Sequence, residues 1–523
     1  MAAGDAGSDE KDHDIASTTA PDQARSVLAK QASAADSVWL ADNMPLGREA
    51  LLLFVICMAQ FCTQTQFTGT LVLLHIIGQT FHITNQLQLA WLVAGYSLTV
   101  GTFILFSGRL GDVFGYKRIL LIGYAWFAVW SAIAGLTVYS DFKFAVAARV
   151  MQGIGPALCL PNALAILGTT YRPGPRKAMV FAFFGAVAPI GGVCGGLFAA
   201  LFAMAWWPWA LWAMAIWLVV LAGISWFAIP DVPQHQHQNP IHGTDLTSWS
   251  RTLDLPGATV GMLSLILFNF AWTQAPIDGW DTPSVLVPLI LGLVLFGVFG
   301  YIEFRVSPNP LLPFDAVNTD VAMVLAAMAC GWATFGIWLL YLVQFLEDTR
   351  GMSPLLVSGW LSPVVVSGGC AAVFTGKLLG AWNFQPSVVM TLALLAFTTG
   401  ITLTATLSTD QIYWGQAFVS MLVMPFGMDM SFPAATLILS NAVPKEHQGV
   451  AASLVNTVVN YGIALGVGFA GTVELHVRGN PATLDGRLLG YRGAMYMGIG
   501  LSALGLGVCA VFLARAFIFH RKS

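Results

Sequence analysis

Asp429 stands near the middle of the apolar run YWGQAFVSMLVMPFGMDMSFPAATLIL. At the centre of a lipid-embedded helix a charged side chain costs about 2.5–3.5 kcal/mol on insertion scales, so a chain that keeps one there uses its charge or its proton. Arg149 falls inside a second such run, FAVAARVMQGIGPALCLPNALAIL. The chemistry open to Asp429 is proton carriage: a carboxyl that loads on the acidic side and releases as its surroundings change face. The rival is a structural ion pair, for which Arg149 is the available partner. Gly427 and Pro433 loosen the helix around the acid, and Met424, Met428 and Met430 offer an adaptable apolar wall. Gln64, Gln66, Asn162, Asn269, Asn456 and Asn460 are further polar groups in apolar surroundings. They suit a polar solute in a cavity, or, taken singly, bonds between helices worth about 0.6 kcal/mol each on average.

Other chemistries find little support. No HExxH, nucleophile elbow or Walker loop occurs in the context it needs, which argues against an enzyme and against ATP-driven transport. The seven cysteines all fall in apolar runs without metal-ligand spacing. His235, His237 and His242 lie in a polar linker with no cysteine or carboxylate cluster beside them, so no metal and no cofactor are expected. Net charge is only -3, and no basic field points to nucleic acid.

The elements that must position these residues are membrane spans. Hydrophobic residues make up 57% of the 523-residue chain and charged ones 9%, with a mean hydropathy of +0.73; a soluble domain carries about 25% charged residues. About 14 apolar stretches recur from near Ala59 to near Gly505, so an all-α membrane protein is expected. Residues 1–45 are polar, lack the apolar core of a signal peptide, and read as a disordered cytoplasmic tail. Residues 230–254 read as a cytoplasmic linker and 519–523 as a second tail. With the amino terminus in the cytosol, fourteen basic residues between spans, among them Arg48, Lys117, Arg172 and Lys377, fall inside and five, Lys143, Arg350, Arg478, Arg487 and Arg492, outside. That bias obeys the positive-inside rule. Trp206, Trp207, Trp209 and Trp212 cluster where indoles anchor at the outer interface.

Two faint echoes share nearly one offset. SGRLGDVFG (107–115) is matched by TGKLLGAWN (375–383), and GPALCLPNALAIL (155–167) by GMDMSFPAATLIL (427–439), pairing Gly155 with Gly427 and Pro161 with Pro433. A duplication is the simplest source. It divides the chain into a first six-helix half over 46–229, two inserted helices over 255–305, and a second six-helix half over 318–518. Parallel repeats of this kind place substrate sites at their interface near the midplane.

The turn GRLGDVFGYKRIL (108–120) has glycines for a tight reversal, Asp112 as an acceptor for helix-end amides, and Lys117 and Arg118 for ion pairs. Through Gly108, Leu110, Asp112, Gly115, Lys117 and Arg118 it resembles the signature of the major facilitator superfamily between helices two and three. ARVMQGIGPA (148–157) resembles the fourth-helix motif of the drug:proton antiporters through Arg149, Gln152, Gly153 and Gly155, which implies a part for Arg149 in proton coupling beside Asp429, the alternative being a snorkelling residue at a helix end. GAVAPIGGVCGG (185–196) is similar to their fifth-helix antiporter motif through Gly185, Pro189 and Gly192, with Ala188 in place of a glycine and Gly191, Gly195 and Gly196 adding small faces. Fourteen spans point to the fourteen-helix branch, and GMDMSFPAATLILSN with PKEHQGVAASLVNT resembles fungal aminotriazole- and boron-resistance exporters. One departure matters. Members often carry an acid in the first helix; here CTQTQFTGTLVLL places Thr65 at that position, which leaves Asp429 as the acid near the midplane.

The resemblance implies a proton-coupled exporter of small molecules (drug, toxicant or metabolite) working by alternating access, as a monomer in the lipid bilayer. The plasma membrane is the expected site and the vacuolar membrane the alternative. Two other readings stay open: an importer or facilitator of a small nutrient or ion on the same fold, and a nontransporting polytopic receptor or enzyme.

Overall fold

The computed structural model describes residues 40–83, 85–172, 175–230, 253–308, 310–311, 319–382, 384–442, 448–480 and 483–520. The linker histidines His235, His237 and His242 lie outside the described residues.

In hydrocarbon each backbone N–H and C=O has to be satisfied within its own segment, so long apolar runs become helices. Among the described residues fourteen helices are long and apolar enough to cross a membrane. They are α1 (Leu46–Val72), α2 (Leu87–Phe114), α3 (Tyr116–Tyr139), α4 (Phe142–Thr170), α5 (Met179–Ala203), α6 (Pro208–Ala228) and α7 (Leu255–Asp278). There follow α8 (Pro283–Val306), α9 (Thr319–Thr349), α10 (Pro354–Gly380), α11 (Pro386–Ala405), α12 (Gln416–Leu439), α13 (Ser453–Val477) and α14 (Leu484–Arg515). Exposed Ile122, Val129, Ile216, Val219, Ile290 and Val294 give the bundle an apolar outer belt.

Packing repeats across the chain. In the first half α1 lies on α5, α2 on α4, and α3 on both α4 and α6; in the second, α9 lies on α13, α10 on α12, and α11 on both α12 and α14. The equivalence reaches single residues. A Cβ built on Gly155 of α4 would stand 2.5 Å from Phe127 Cβ of α3, and one on Gly427 of α12 would stand 2.7 Å from the Phe397 ring of α11. Both glycines exist so that an aromatic ring of the preceding helix can close on the backbone.

The halves meet along α2 against α13 and α5 against α10. Close approach on the first seam depends on small residues: a Cβ at Gly101 would lie 2.7 Å from the Tyr461 backbone nitrogen, and one at Gly108 2.7 Å from Ser453 Oγ. The inserted α7 lies over this seam, donated a bond by Tyr461 (to Leu265 O, 2.9 Å) and by Trp91 (to Gln274 Oε1, 3.0 Å). The other inserted helix, α8, packs mainly on α7.

The tryptophan cluster divides. Trp209 is exposed and stacks edge-on with Trp212 at 5.4 Å, as an interfacial anchor would. Trp207 is buried and donates to Thr80 Oγ1 at 3.0 Å, so it belongs to the interior of the first half instead.

Candidate functional site

The turn joining α2 to α3 consists of one residue. Gly115 has φ +96°, a conformation that side-chain-bearing residues rarely adopt, and its N–H donates to Gly111 O at 2.9 Å. Asp112 accepts from the Tyr116 hydroxyl at 2.7 Å. Lys117 lies 5.9 Å from the Trp226 ring, tying α3 to α6. The helix that packs on α2 across the seam begins at Gln448, and side chains 448–452 lie outside the described residues.

Arg149 is 2% exposed. Its Nε donates to Leu92 O at 3.1 Å, Nη2 to Gln66 O at 3.3 Å and Nη1 to Gln152 Oε1, while the guanidinium covers the Tyr96 ring at 4.4 Å. Gln152 in turn donates to Ser131 Oγ at 2.6 Å. This net joins α1, α2, α3 and α4 and contains no carboxylate, so the pair with Asp429 raised from the sequence is not formed. Gly153 lets Thr99 and the Tyr96 carbonyl approach α4, within 2.1 and 2.5 Å of a built Cβ.

The glycine-rich α5 presents two faces. Gly191 and Gly195 admit the α1 backbone at Phe61 and Thr65, and the Thr65 hydroxyl donates to Gly191 O at 3.0 Å. Thr65 thus serves as an α1–α5 crosslink. Gly192 faces Thr68 of α1, Gly185 has open space, and Gly196 abuts Ser358 of α10, 2.7 Å from a built Cβ.

Asp429 lies where α12, α10 and α5 converge. A Cβ on Gly368 of α10 would stand 2.9 Å from Asp429 Oδ2 and 3.0 Å from Pro189 Cγ of α5. Gly368 therefore forms the floor between a carboxylate of the second half and the antiporter-like proline of the first. Among the described residues Asp429 Oδ2 is buried with no hydrogen-bond partner. Nearby, Ser367 donates to Leu422 O, holding α10 to α12. The repeat pairs Asp429 with Ala157 of α4, so only one half carries the acid.

The polar residues singled out from the sequence do not converge. Gln66 and Thr65 line a cavity of about 470 Å³ inside the first half, with Arg149 at its polar pole and Phe198, Trp207, Met214 and Trp217 among its apolar walls. Asn162 instead staples α4 to α2, donating to Ser107 Oγ at 3.1 Å and lying 1.9 Å from a Cβ built on Gly111. Asn269 of α7 accepts from Thr273 at 3.4 Å, and Asn460 donates to Asn456 O at 3.0 Å within α13. Gln64 of α1 is half-buried.

Sequence reasoning missed a second set of enclosed acids, of which Glu347 and Glu474 are buried and Asp348 is half-buried. Glu474 of α13 accepts from the Tyr341 hydroxyl at 2.8 Å, Glu347 is buried at the end of α9, and Asp348 beside it accepts from Tyr491 and lies 2.5 Å from His75 Nε2. The sequence signal was present: a glutamate within GTVELHV, inside an apolar span.

Residues 56–467 match the sequence profile of the Major Facilitator Superfamily, and the chain belongs to that family. Its relatives include the low affinity ammonium transporter of Saccharomyces cerevisiae, 50% identical over 475 residues covering 91% of this chain and 90% of that one. The efflux pump terJ of Aspergillus terreus is 45% identical over 482 residues (91% and 90%), and the aminotriazole resistance protein of S. cerevisiae 36% over 483 (91% and 86%). The fold is also that of a peptide transporter POT crystallised with alafosfalin, with a TM-score of 0.65 at 14% identity over 90% of this chain and 95% of that one. The protein is a multi-pass membrane transporter of that family, similar over nearly its whole length to fungal efflux pumps and an aminotriazole resistance protein, and not an enzyme.

Proposed function

We propose that this protein exports small molecules against inward proton movement, with Asp429 as the proton-carrying group. One observation carries the reading: the half-buried carboxyl of Asp429, whose Oδ2 is enclosed and has no hydrogen-bond partner among the described residues, sits at the contact between the halves, across Gly368 from Pro189 of the antiporter-like helix. When α5 and α10 separate or close, the surroundings of that carboxyl change, which couples its proton to the face of the cavity that is open. The efflux pump and resistance protein among the relatives favour export.

In this reading the end bearing Gly115, Arg172 and Lys377 faces the cytosol, the two six-helix halves rock as bodies, and the monomer resides in the plasma membrane. Gln66 and Arg149 receive the solute in the 470 Å³ cavity of the first half.

The test uses purified full-length protein in proteoliposomes carrying an imposed pH gradient. Asp429→Asn is expected to keep substrate counterflow and lose uphill accumulation, and an ionophore that collapses the gradient is expected to abolish wild-type accumulation. Uphill transport by the Asn variant with unchanged pH dependence overturns the assignment.

A second reading, passage of ammonium or a similar small cation, is favoured by the 50% identical ammonium transporter. Methylammonium flux independent of Asp429, with no export of larger solutes, would select it.

A further inference from the structure

Away from Asp429, at the end opposite the Gly115 turn, four helices enclose a second polar space. Leu87 and Ala90 of α2, Thr273 and Pro276 of α7, Tyr341 and Gln344 of α9, and Gly471 and Glu474 of α13 are among the groups that line a cavity of about 10 Å³. That is near the minimum that holds one water-sized species. Its polar lining is rich in acceptors. Gln344 is 4% exposed and its Oε1 has no hydrogen-bond partner among the described residues, while Glu474 is 6% exposed and receives a single hydroxyl, that of Tyr341, on Oε2. Thr273 spends its proton on Asn269 Oδ1, so its oxygen too is left as an acceptor.

A neutral water brings two protons to such a lining. A compact cation with three or four protons matches it better in number and in charge, because bonds from an ionised donor to a carboxylate are about twice as strong as neutral ones. Sodium needs several oxygen ligands in a rigid shell and gains nothing from an isolated amide oxygen at this spacing.

We propose that the Gln344–Glu474 cavity is a binding site for a compact, hydrogen-bond-donating monovalent cation, ammonium or hydronium. The site is built by α2 of the first half, α9 and α13 of the second, and the inserted α7, whose Thr273 and Pro276 form one wall. It assigns the insertion a task, completion of a cation site on the seam between halves. Occupancy therefore favours the arrangement in which these four helices are together. The assignment does not depend on the role of Asp429 or on transport direction. The charged and titratable groups around it are Tyr341, Glu347 and Asp348 of α9, Glu474 of α13 and Arg478 just after it, Tyr491 of α14, and His75 beyond α1.

The experiment measures the unfolding midpoint of the purified full-length protein in detergent, at constant ionic strength. Ammonium chloride is titrated against sodium, potassium and choline chlorides at fixed pH, and choline medium is separately acidified. Expected for an ammonium site is a saturable rise specific to ammonium; for a hydronium site, a rise on acidification to which ammonium adds nothing. In either case Glu474→Gln and Gln344→Leu should weaken apparent affinity about 10-fold or more, the effect of removing one bond to a charged group. Thr273→Val, expected to weaken it less, carries the test if Glu474→Gln fails to fold. Equal midpoints in all four salts with no acid-dependent difference between wild type and variants overturn the proposal, as does a shift that survives both Gln344→Leu and Glu474→Gln.

Discussion

Gly368→Ala probes the junction of α5, α10 and α12 with a single methyl group. The new Cβ would meet Asp429 Oδ2 at 2.9 Å and Pro189 at 3.0 and 3.4 Å, inside the roughly 3.5–4.0 Å optimum for carbon contacts. Overpacking of this kind costs about 1–3 kcal/mol. Against it stands the helix preference of alanine over glycine, about 0.8–1.0 kcal/mol, so the net loss is about 0–2 kcal/mol. The neighbouring Gly369 supplies the control, because a Cβ there meets nothing within 4 Å. Gly369→Ala should keep only the favourable term, which separates the two variants by about 1–3 kcal/mol, the overpacking cost itself. The assay is the unfolding midpoint of each purified variant in one detergent, paired with gradient-driven uptake into inverted vesicles. Gly368→Ala should melt lower and accumulate less than Gly369→Ala. In an Asp429→Ala background the Gly368→Ala cost should shrink by about 0.5 kcal/mol or more, since residues in contact are not additive. Indistinguishable variants, or full additivity with Asp429→Ala, would refute the geometry.

Three other outcomes follow from the same structure. Asp112→Asn removes the charge that we propose faces the helix amino terminus at Gln448, a contact of about 0.3–1 kcal/mol; transport should fall while membrane delivery holds, and unchanged cytosolic labelling of a cysteine placed across the α2–α13 seam would count against that contact. Glu49 accepts from Tyr171 at 2.8 Å and from Arg176 at 2.6 Å, joining α1 to the residues that connect α4 and α5. Burial and the Glu49 carboxylate push the Tyr171 hydroxyl above the usual phenol range, so it stays a donor. Glu49→Gln keeps an acceptor for Tyr171 and loses a half-exposed ion pair, about 0–1 kcal/mol, whereas Glu49→Leu loses both, about 1–3 kcal/mol; melting in the order Leu, Gln, wild type is expected, and coincident melting would dismiss the cluster. Thr65→Val deletes the bond to Gly191 O, worth about 0.6 kcal/mol on average. Its proton coupling should be unchanged, and altered pH dependence in flux measurements would mean that Thr65 does more than crosslink.

The spans were legible in the residues because each satisfies its backbone internally, so apolar length alone marks a helix in lipid. The Gly115 reversal was legible for the same local reason: one residue between two helices needs positive φ, and glycine supplies it. The repeat was visible as Gly155 against Gly427, yet what those glycines do, receive Phe127 and Phe397, depends on which helix packs beside them.

Partnership was not legible, because a helix sequence states which positions are polar and not which neighbour they face. Arg149 and Asp429 look like an ion pair on paper; folding gives the arginine to backbone carbonyls and Gln152, and the acid to a junction with Gly368 and Pro189. Glu474 passed unnoticed because a glutamate four residues before Arg478 near a span end resembles an ordinary surface pair. Only the covering of that end by α2, α7 and α9 makes it a buried carboxylate beside an unsatisfied amide, since burial is a property of the assembled bundle and not of any one helix.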